Sequence, residues 1–438
     1  MLLGMPNEVQ EEGERRGGAM ASWLLLAGGG IVSQLLFTIS GVLAARMLGV
    51  EGRGQVVMVA VLAGMASQLT LGGSLPNAIT KQLAEQRVVA RDGLRGLVRR
   101  WIPLGMLAAT IAGGYMLFLE WDAPAVMKYG LSAAVVVMGM QGMASRILMG
   151  SMMGEGTNPV HVALTSLLPQ ALVVVVYATA MAAGVRWNAV ELLAVTLSCV
   201  GLVLLARLRV LARPTGRPET QLDRHELARL ARRSHISSVG PIDGLSIDRM
   251  LVGSLLGSIQ LGLYSVAFAL GGLTTIFGRC LELVALPRIA QLQIDPVAEV
   301  HFVRRWLLLS VAVLATVVAG MLLVLVPVIR LTFGADFLGA TDCARWMIVA
   351  SGLLGFRRVL IGVLQGRGRG RYASVTELAL TPLVVLGVVL AAGEESLVGV
   401  GITMTAAAAV GCLVHGFGVA RSEPVATTIQ PPENIPIP

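Results

Sequence analysis

The chain has 438 residues, of which 55% are hydrophobic and 14% are charged, and its mean hydropathy is +0.76. A soluble domain carries roughly 25% charged residues, so this composition excludes a soluble globular protein and indicates a polytopic helical membrane protein. The net charge of +8 would suggest a nucleic-acid partner in a soluble chain. In a membrane protein positive charge sets topology instead, and we expect no nucleic acid.

A membrane-spanning helix needs about 20 apolar residues, and candidate spans recur along the whole chain. Six fall in the first half: Ala21–Leu48, Gly54–Leu75, Trp101–Glu120, Met127–Leu148, Asn158–Ala183 and Trp187–Leu208. Six fall in the second half: His235–Leu256, Gln260–Leu286, Trp306–Ile329, Cys343–Leu364, Tyr372–Ala392 and Leu397–Phe417.

The predicted fold is therefore all-α and integral to the membrane, with about 12 transmembrane helices in two six-helix lobes. The lobes are residues 21–208 and 235–418, and an Arg-rich cytoplasmic linker, 209–234, joins them. Residues 1–20 form a cytoplasmic N-terminal segment, and residues 419–438, which include PPENIPIP, form a disordered tail.

The distribution of lysine and arginine tests this topology. With both termini in the cytoplasm, most of the 34 basic residues fall in cytoplasmic segments. The outer loops hold only Arg53, Lys128, Arg186, Arg330 and Arg345. This asymmetry follows the positive-inside rule, and it would collapse if the polar seventh span, His235–Leu256, were dropped. We expect a bacterial inner-membrane protein that crosses the membrane many times.

Three sequence matches in register predict that the second half repeats the first. Leu48-Gly49 with Gly54 matches Leu256-Gly257 with Gly262, and Leu75-Pro76 matches Leu286-Pro287. RILMGSMMGEG, from Arg146, matches RVLIGVLQGRG, from Arg358. Because each half has an even number of spans, the copies would be parallel repeats related by an axis along the membrane normal.

The seventh span carries the strongest site candidates, Asp243, Asp248 and Arg249. Charge within a span costs about 2.5–3.5 kcal/mol per group and is kept mainly where it meets a partner or a water-filled pathway. Asp248 and Arg249 point in different directions on a helix, so a buried inter-helix ion pair and a cavity site both remain open. At an offset of 208 they align with Ser40 and Gly41, which places this charge in the second half only.

Other charged residues are weaker candidates. Arg279 and Glu282 either neutralise each other at i and i+3 or meet a ligand. Arg357 is a cavity candidate, whereas the repeat arginines Arg146 and Arg358 are expected to reach the inner headgroups. Guanidinium groups suit phosphate, because a rigid fork of donors can bind it bidentately.

The sequence offers no enzymatic or metal constellation. It contains no Walker A, H-E-x-x-H or G-x-S-x-G motif. The cysteines and histidines are dispersed without metal-ligand spacing. We therefore expect neither an enzyme nor a metal or organic cofactor.

Several segments resemble polysaccharide-biosynthesis flippases, the Wzx-like oligosaccharide exporters of the multidrug/oligosaccharidyl-lipid/polysaccharide (MOP) superfamily. They are SIDRMLVGSLLGSIQLGLYSVAFAL at the start of the second half, AARMLGVEGRGQ, LPRIAQL and LTFGADFLGA. The resemblance implies a MATE-like fold with a central cavity. It also implies translocation of a polyprenyl-pyrophosphate-linked oligosaccharide, with Na⁺ or H⁺ as the coupling cation in some relatives.

The resemblance further implies membrane lipid and other glycan-assembly membrane proteins as partners. Two alternatives remain. A cation-coupled multidrug exporter of the same superfamily would be expected to carry an acidic site in the first half, where buried carboxylates are scarce. A membrane-embedded glycan polymerase or ligase would need a larger outer loop than any predicted here.

Overall fold

A computed structural model describes residues 7–72, 74–86, 91–154, 159–211, 226–231, 244–292 and 295–422. The described residues are helical almost throughout, as the apolar runs predict. The helices of the first half are α1 (Asn7–Ser67), α2 (Leu75–Gln86), α3 (Arg91–Phe118), α4 (Ala125–Gly154), α5 (Pro159–Ala182) and α6 (Ala189–Leu211). Those of the second half are α7 (Ile247–Leu255), α8 (Gly257–Leu292), α9 (Pro296–Thr332), α10 (Thr341–Gly366), α11 (Gly370–Ala379), α12 (Thr381–Gly393) and α13 (Leu397–Arg421).

Two short elements complete the description: a π-helical turn, Gln68–Gly72, and a 3₁₀ turn, Ala335–Ala340. Among the described residues, nine helices are long and apolar enough to cross a membrane. The remaining predicted spans are present in altered form. Spans one and two are merged into α1, the described helix of span seven is only α7, and span eleven is divided into α11 and α12.

The division of span eleven has a local cause. Leu380 separates α11 from α12, and Pro382 lies in the first turn of α12. Proline lacks a backbone N–H and disfavours a helical residue before it, so a helix readily restarts at this point.

The chain divides into two compact units. The first comprises Met1–Ser265 with Thr332–Asp336, and the second comprises Val266–Leu331 with Phe337–Pro438. In the first unit, Leu227 and Ala231 from the predicted linker are buried in one apolar cluster with Leu75, Ile79 and Met143. Residues 212–225 and 232–243 lie outside the described residues. The predicted lobe boundaries at 208 and 235, which fall in or near these segments, therefore remain a prediction. Most of the predicted tail also lies outside them, beyond Ser422.

The first unit contains a reciprocal helix crossing that matches the predicted repeat. A Cβ on Gly54 would overlap the carbonyl oxygen of Ser258, and a Cβ on Gly262 would overlap the carbonyl oxygen of Val50. Val50 and Ser258 are repeat counterparts, as are Gly54 and Gly262. Gly54 meets Ser258, and their counterparts Gly262 and Val50 meet in the same way. Two contacts that are reciprocal in this manner are related by a two-fold axis. The crossing therefore has the geometry that parallel repeats require.

The turns that precede this crossing are also counterparts. Gly49 interrupts α1 with φ 69° and ψ −170°, and Gly257 has φ 87° between α7 and α8. Both conformations lie in regions that favour glycine, because a Cβ would meet the adjacent backbone. The Leu-Gly pairs recognised in the sequence are thus the two points at which the chain changes direction before α1 and α8 cross.

Candidate functional site

Asp248 lies in the first turn of α7 and is completely buried. Its Oδ2 accepts a hydrogen bond of 2.8 Å from the hydroxyl of Tyr264 on α8. Its Oδ1 is buried and makes no hydrogen bond with a described residue. A carboxylate near a helix N-terminus is favoured by the helix dipole, but a buried oxygen without a donor is costly. Among the described residues, Asp248 thus has one hydrogen-bonded oxygen, Oδ2, and one oxygen, Oδ1, that could take a cation, a proton or a water.

Arg249 follows Asp248 but points in a different direction, as the helical geometry predicts. Its guanidinium donates a short hydrogen bond to the hydroxyl of Ser246, the residue before α7. Ser246 itself is buried and has a positive φ of 55°. The polar start of α7 therefore folds back on itself, and Arg249 is held half-buried beside the carboxylate that precedes it.

A second arginine, which sequence reasoning placed in an outer loop, joins this cluster. The side chain of Arg53 lies over Gly41, with Nη2 3.1 Å from the position of a Cβ on that glycine. Its Nε is buried without a hydrogen-bond partner among the described residues. Its guanidinium lies within electrostatic range of Arg249 and of the Tyr177 hydroxyl. Two guanidinium groups that share a partly buried region repel each other, and an anion placed between them would relieve that repulsion.

The position of Arg53 corrects the expectation that the charge belongs to the second half alone. Gly41 is the repeat counterpart of Arg249, and the guanidinium of Arg53 occupies the space beside it. The first half therefore supplies its own arginine near the equivalent position, from a residue twelve places further along the chain. The signal available in the sequence was the glycine itself, which leaves room for a side chain from beyond the Gly49 turn.

Helix α7 is fixed to first-half helices by polar contacts. The indole Nε1 of Trp121 donates to the carbonyl oxygen of Gly253 at 3.0 Å, and the Tyr115 hydroxyl donates to Ser254 at 2.9 Å. A Cβ on Gly253 would lie within 3.0 Å of Leu261 and at 3.0 Å from Met58. The cluster of Arg53, Asp248, Arg249 and Tyr264 is thus positioned by packing of α7 against α1, α8 and the end of α3.

Apart from Arg146 in the first unit, the remaining predicted residues lie in the second unit or outside the described residues. Arg357 is 2% exposed on α10, and its Cδ lies 2.9 Å from the position of a Cβ on Gly411 of α13. Arg279 is exposed on α8. Their convergence with Arg249 remains a prediction, and Asp243 lies outside the described residues.

Glu282 and Arg358 form an ion pair between α8 and α10. Their charged atoms are 3.8 Å apart, and each side chain is about one-fifth exposed. The expectation that Arg358 reaches only toward headgroups therefore misses a partner on a neighbouring helix. Arg146, its repeat counterpart, is half-buried on α4.

A buried ion pair that the sequence did not suggest lies in the second unit. Nε of Arg367 is 2.6 Å from Oε1 of Glu299, and the two side chains are 5% and 0% exposed. Nη1 of Arg367 also donates to the carbonyl oxygens of Val419 and Ser422. These contacts tie the end of α10, the start of α9 and the end of α13 together, which is a structural role.

No group of three or more His, Cys, Asp or Glu side chains suited to a metal ion occurs among the described residues. Two kinds of polar group are present. The neighbouring guanidinium groups of Arg53 and Arg249 can bind an anion, and the Asp248 carboxylate with its Tyr264 partner can exchange a cation or proton. They do not form a nucleophile–base pair of the kind used in covalent catalysis.

Comparison with known proteins confirms the resemblance seen in the sequence. Residues 160–342 match a family model described as polysaccharide biosynthesis protein. No curated protein matches the chain. Nine described helices are long and apolar enough to cross a membrane, and the fold is shared along most of the chain with solved membrane transporters, so this is a multi-pass membrane protein.

Three solved structures illustrate the shared fold. The lipid II flippase MurJ in an inward closed conformation is 12% identical, with a TM-score of 0.66 over 91% of this chain and 87% of that one. An inward-facing multidrug resistance MATE family transporter of the MOP superfamily is 15% identical, with a TM-score of 0.62 over 89% of this chain and 94% of that one. A MOP superfamily transporter from Pyrococcus furiosus is 16% identical, with a TM-score of 0.53 over 91% of this chain and 94% of that one.

Proposed function

Because the chain has the fold of MOP-superfamily transporters and part of it matches a family of polysaccharide biosynthesis proteins, we propose that it is a lipid-linked oligosaccharide flippase. The cargo would be a polyprenyl-pyrophosphate-linked oligosaccharide, moved across a bacterial inner membrane by alternating access for cell-surface or exopolysaccharide biosynthesis. Both termini would lie in the cytoplasm, and other glycan-assembly membrane proteins would be its partners.

The proximity of Arg53 to Arg249, which itself follows Asp248 in the chain, is the observation that supports this cargo most directly. A pyrophosphate carries several negative charges and presents many acceptor oxygens. Arginine stays charged at any physiological pH and binds such groups through paired donors. A cationic cargo would instead be repelled by two neighbouring guanidinium groups. We assign Arg53 and Arg249 to the phosphates, while the roles of Arg279 and Arg357 remain predictions from the sequence.

Asp248 has a separate role in this proposal. Its hydrogen bond from Tyr264 holds the carboxylate in place, while Oδ1 makes no hydrogen bond with a described residue. A proton or Na⁺ at this oxygen would neutralise the buried charge and raise the net positive charge seen by the cargo. Cation binding and phosphate binding would then favour each other, so the two events would be linked through the charge of one cluster.

A cation-coupled multidrug exporter is the second candidate, and one observation favours it. A multidrug exporter is expected to have an acidic site among the first-half helices. Asp248 belongs to the same compact unit as those helices and could be that acidic group. The two candidates predict opposite cargo charge. Uptake of a cationic dye by everted vesicles would support the exporter, whereas pyrophosphate-dependent transport would support the flippase.

Replacing Arg53 or Arg249 by glutamine tests the phosphate assignment. We expect each change to lower glycan export by roughly tenfold or more, since a charge-assisted hydrogen bond contributes about 1.5–3 kcal/mol. Export would be measured by complementation of a strain that lacks its repeat-unit flippase. Arg345→Gln is the matched control, because Arg345 is exposed and pairs with Asp342 on its own helix. Wild-type export by both site variants, at normal membrane levels, would exclude these two residues from the site.

A further inference from the structure

A cavity of about 400 Å³ lies in the second unit, and its lining includes none of the residues assigned to the cargo. Its lining combines three basic side chains with an aromatic and aliphatic wall. The lining residues are Arg288, Leu292, Ala298, His301, Phe302, Arg305, Trp306 and Leu309. This volume suits a single small headgroup, since small-molecule sites generally measure about 300–1,000 Å³.

The lining residues of α9 all lie on one face of that helix. Ala298, Phe302 and Trp306 are four residues apart, as are His301, Arg305 and Leu309, and helical residues at this spacing are stacked along one side. Arg288 and Leu292 repeat the spacing on α8. The cavity is therefore a groove that runs along two adjacent helices rather than a pit between loops.

The length of α9 places the groove at the membrane interface. Its 37 residues extend about 55 Å, whereas the hydrocarbon core of a bilayer is about 30 Å thick. The apolar span predicted from the sequence begins at Trp306, so the turns before it lie at headgroup depth. If the span begins at Trp306 as predicted, His301 and Arg305 fall at headgroup depth and Leu309 falls at acyl-chain depth.

The groove is thus polar and positive at one end and apolar at the other. Phe302 and Trp306 form a stacked pair with ring centroids 5.6 Å apart and mark the boundary between the two ends. The indole Nε1 of Trp306 donates to the carbonyl oxygen of Leu281, which fixes the ring at this depth. Aromatic side chains held at the interface are typical of sites that contact the glycerol region of a lipid.

The nearby carboxylates are already engaged. Oδ1 of Asp295 accepts hydrogen bonds from the backbone N–H groups of Val297 and Ala298 at the start of α9. Glu299 is buried against Arg367. One ring nitrogen of His301, Nδ1, contacts the carbonyl oxygen of Val297, so Nε2 is the nitrogen that can face the groove. The described lining of the groove contains Arg288 and Arg305 and no carboxylate, which favours an anionic headgroup at its basic end.

We propose that this groove binds one anionic glycerophospholipid of the surrounding bilayer. Its phosphate lies between Arg288 and Arg305, and an acyl chain lies along Trp306 and Leu309. The shared chemistry would also fit the phosphate of a polyprenyl carrier. A bilayer phospholipid is favoured because the cavity has room for a small headgroup and not for a pyrophosphate with an attached oligosaccharide.

The test is native mass spectrometry of the full chain, released from detergent with added phosphatidylglycerol or phosphatidylcholine. The wild type is expected to retain one phosphatidylglycerol in preference to phosphatidylcholine. Arg305→Gln is expected to lower that retention about fivefold, since one basic residue contributes about 1 kcal/mol to binding an anionic lipid surface. Arg305→Lys keeps the charge and is expected to retain most of the binding.

Arg304→Gln is the matched control, because Arg304 is the adjacent exposed arginine and does not line the groove. If the Arg304 and Arg305 variants lost phosphatidylglycerol retention equally, the proposal would be overturned, because the loss would then be a general effect of charge. Equal retention of phosphatidylcholine would also overturn it. Displacement of the bound lipid by stoichiometric polyprenyl pyrophosphate, with no displacement by excess phosphatidylglycerol, would assign the groove to the cargo instead.

Discussion

Gly54→Ala is expected to prevent normal folding or to destabilise the protein severely. The new methyl group would overlap the carbonyl oxygen of Ser258, a backbone atom that cannot move without displacing α8. Overpacking at a close helix crossing costs about 1–3 kcal/mol even where side chains can adjust, and here none can. Gly262→Ala should behave alike, since its methyl group would meet the carbonyl oxygen of Val50. Fluorescence-detected size-exclusion chromatography of a tagged protein would report the loss as a fall in the monodisperse peak and in its melting temperature.

Gly64→Ala provides the control on the same helix. No atom lies within 4 Å of a Cβ at this position, so the methyl group meets open space. Alanine is about 1 kcal/mol better than glycine within a helix, so this variant should match or exceed the wild type. If Gly54→Ala and Gly64→Ala were equally stable, the close crossing of α1 and α8 would be wrong.

Breaking the buried pair of Arg367 and Glu299 is expected to have the second large effect. Glu299→Ala would leave a guanidinium that is 5% exposed without its carboxylate. Removal of one partner from a buried pair typically costs about 3–5 kcal/mol, because the remaining charge stays desolvated. The carbonyl oxygens of Val419 and Ser422 would still accept hydrogen bonds from Arg367, which would limit the loss of stability. Thermal unfolding of the purified protein in detergent would measure it.

The exposed pair of Arg345 and Asp342 supplies the comparison for that measurement. Its side chains are 59% and 69% exposed, and exposed pairs contribute only about 0–1 kcal/mol. Asp342→Ala should therefore leave the melting temperature almost unchanged. A loss in Asp342→Ala equal to that in Glu299→Ala would contradict the distinction between buried and exposed pairs drawn here.

The helices and the repeat could be predicted from the sequence because both depend on local or periodic signals. Long apolar runs indicate spans directly. The arginine-rich and arginine-poor loops alternate along the chain only if the polar seventh span is counted, so the predicted topology required that span. The Leu-Gly pairs at Gly49 and Gly257 marked the two turns because a positive φ restricts the residue type. The same offset predicted that Gly54 and Gly262 would be equivalent, although it did not predict that they meet.

The polar contacts between helices could not be predicted in the same way. Arg53 appeared to be a loop residue because it lies next to the turn, and only the three-dimensional packing shows that its side chain reaches back to Gly41. Arg367 was counted as a topology-setting charge, yet it is buried against Glu299, which precedes it by 68 residues. Asp248 and Arg249 were recognised because charge within an apolar run is visible in the sequence. The partner of Asp248, Tyr264, lies sixteen residues away across a turn and was not singled out for that role.

The central claim is that the cargo is a lipid-linked, pyrophosphate-bearing oligosaccharide. The most direct measurement is translocation in proteoliposomes that contain the purified protein and a fluorescent polyprenyl-pyrophosphate oligosaccharide in one leaflet. We expect protein-dependent movement of the headgroup to the other leaflet, a clear reduction in Arg53→Gln and Arg249→Gln, and no competition from cationic dyes. No movement of the headgroup, together with transport of a cationic dye that depends on Asp248, would contradict the claim and favour the drug exporter.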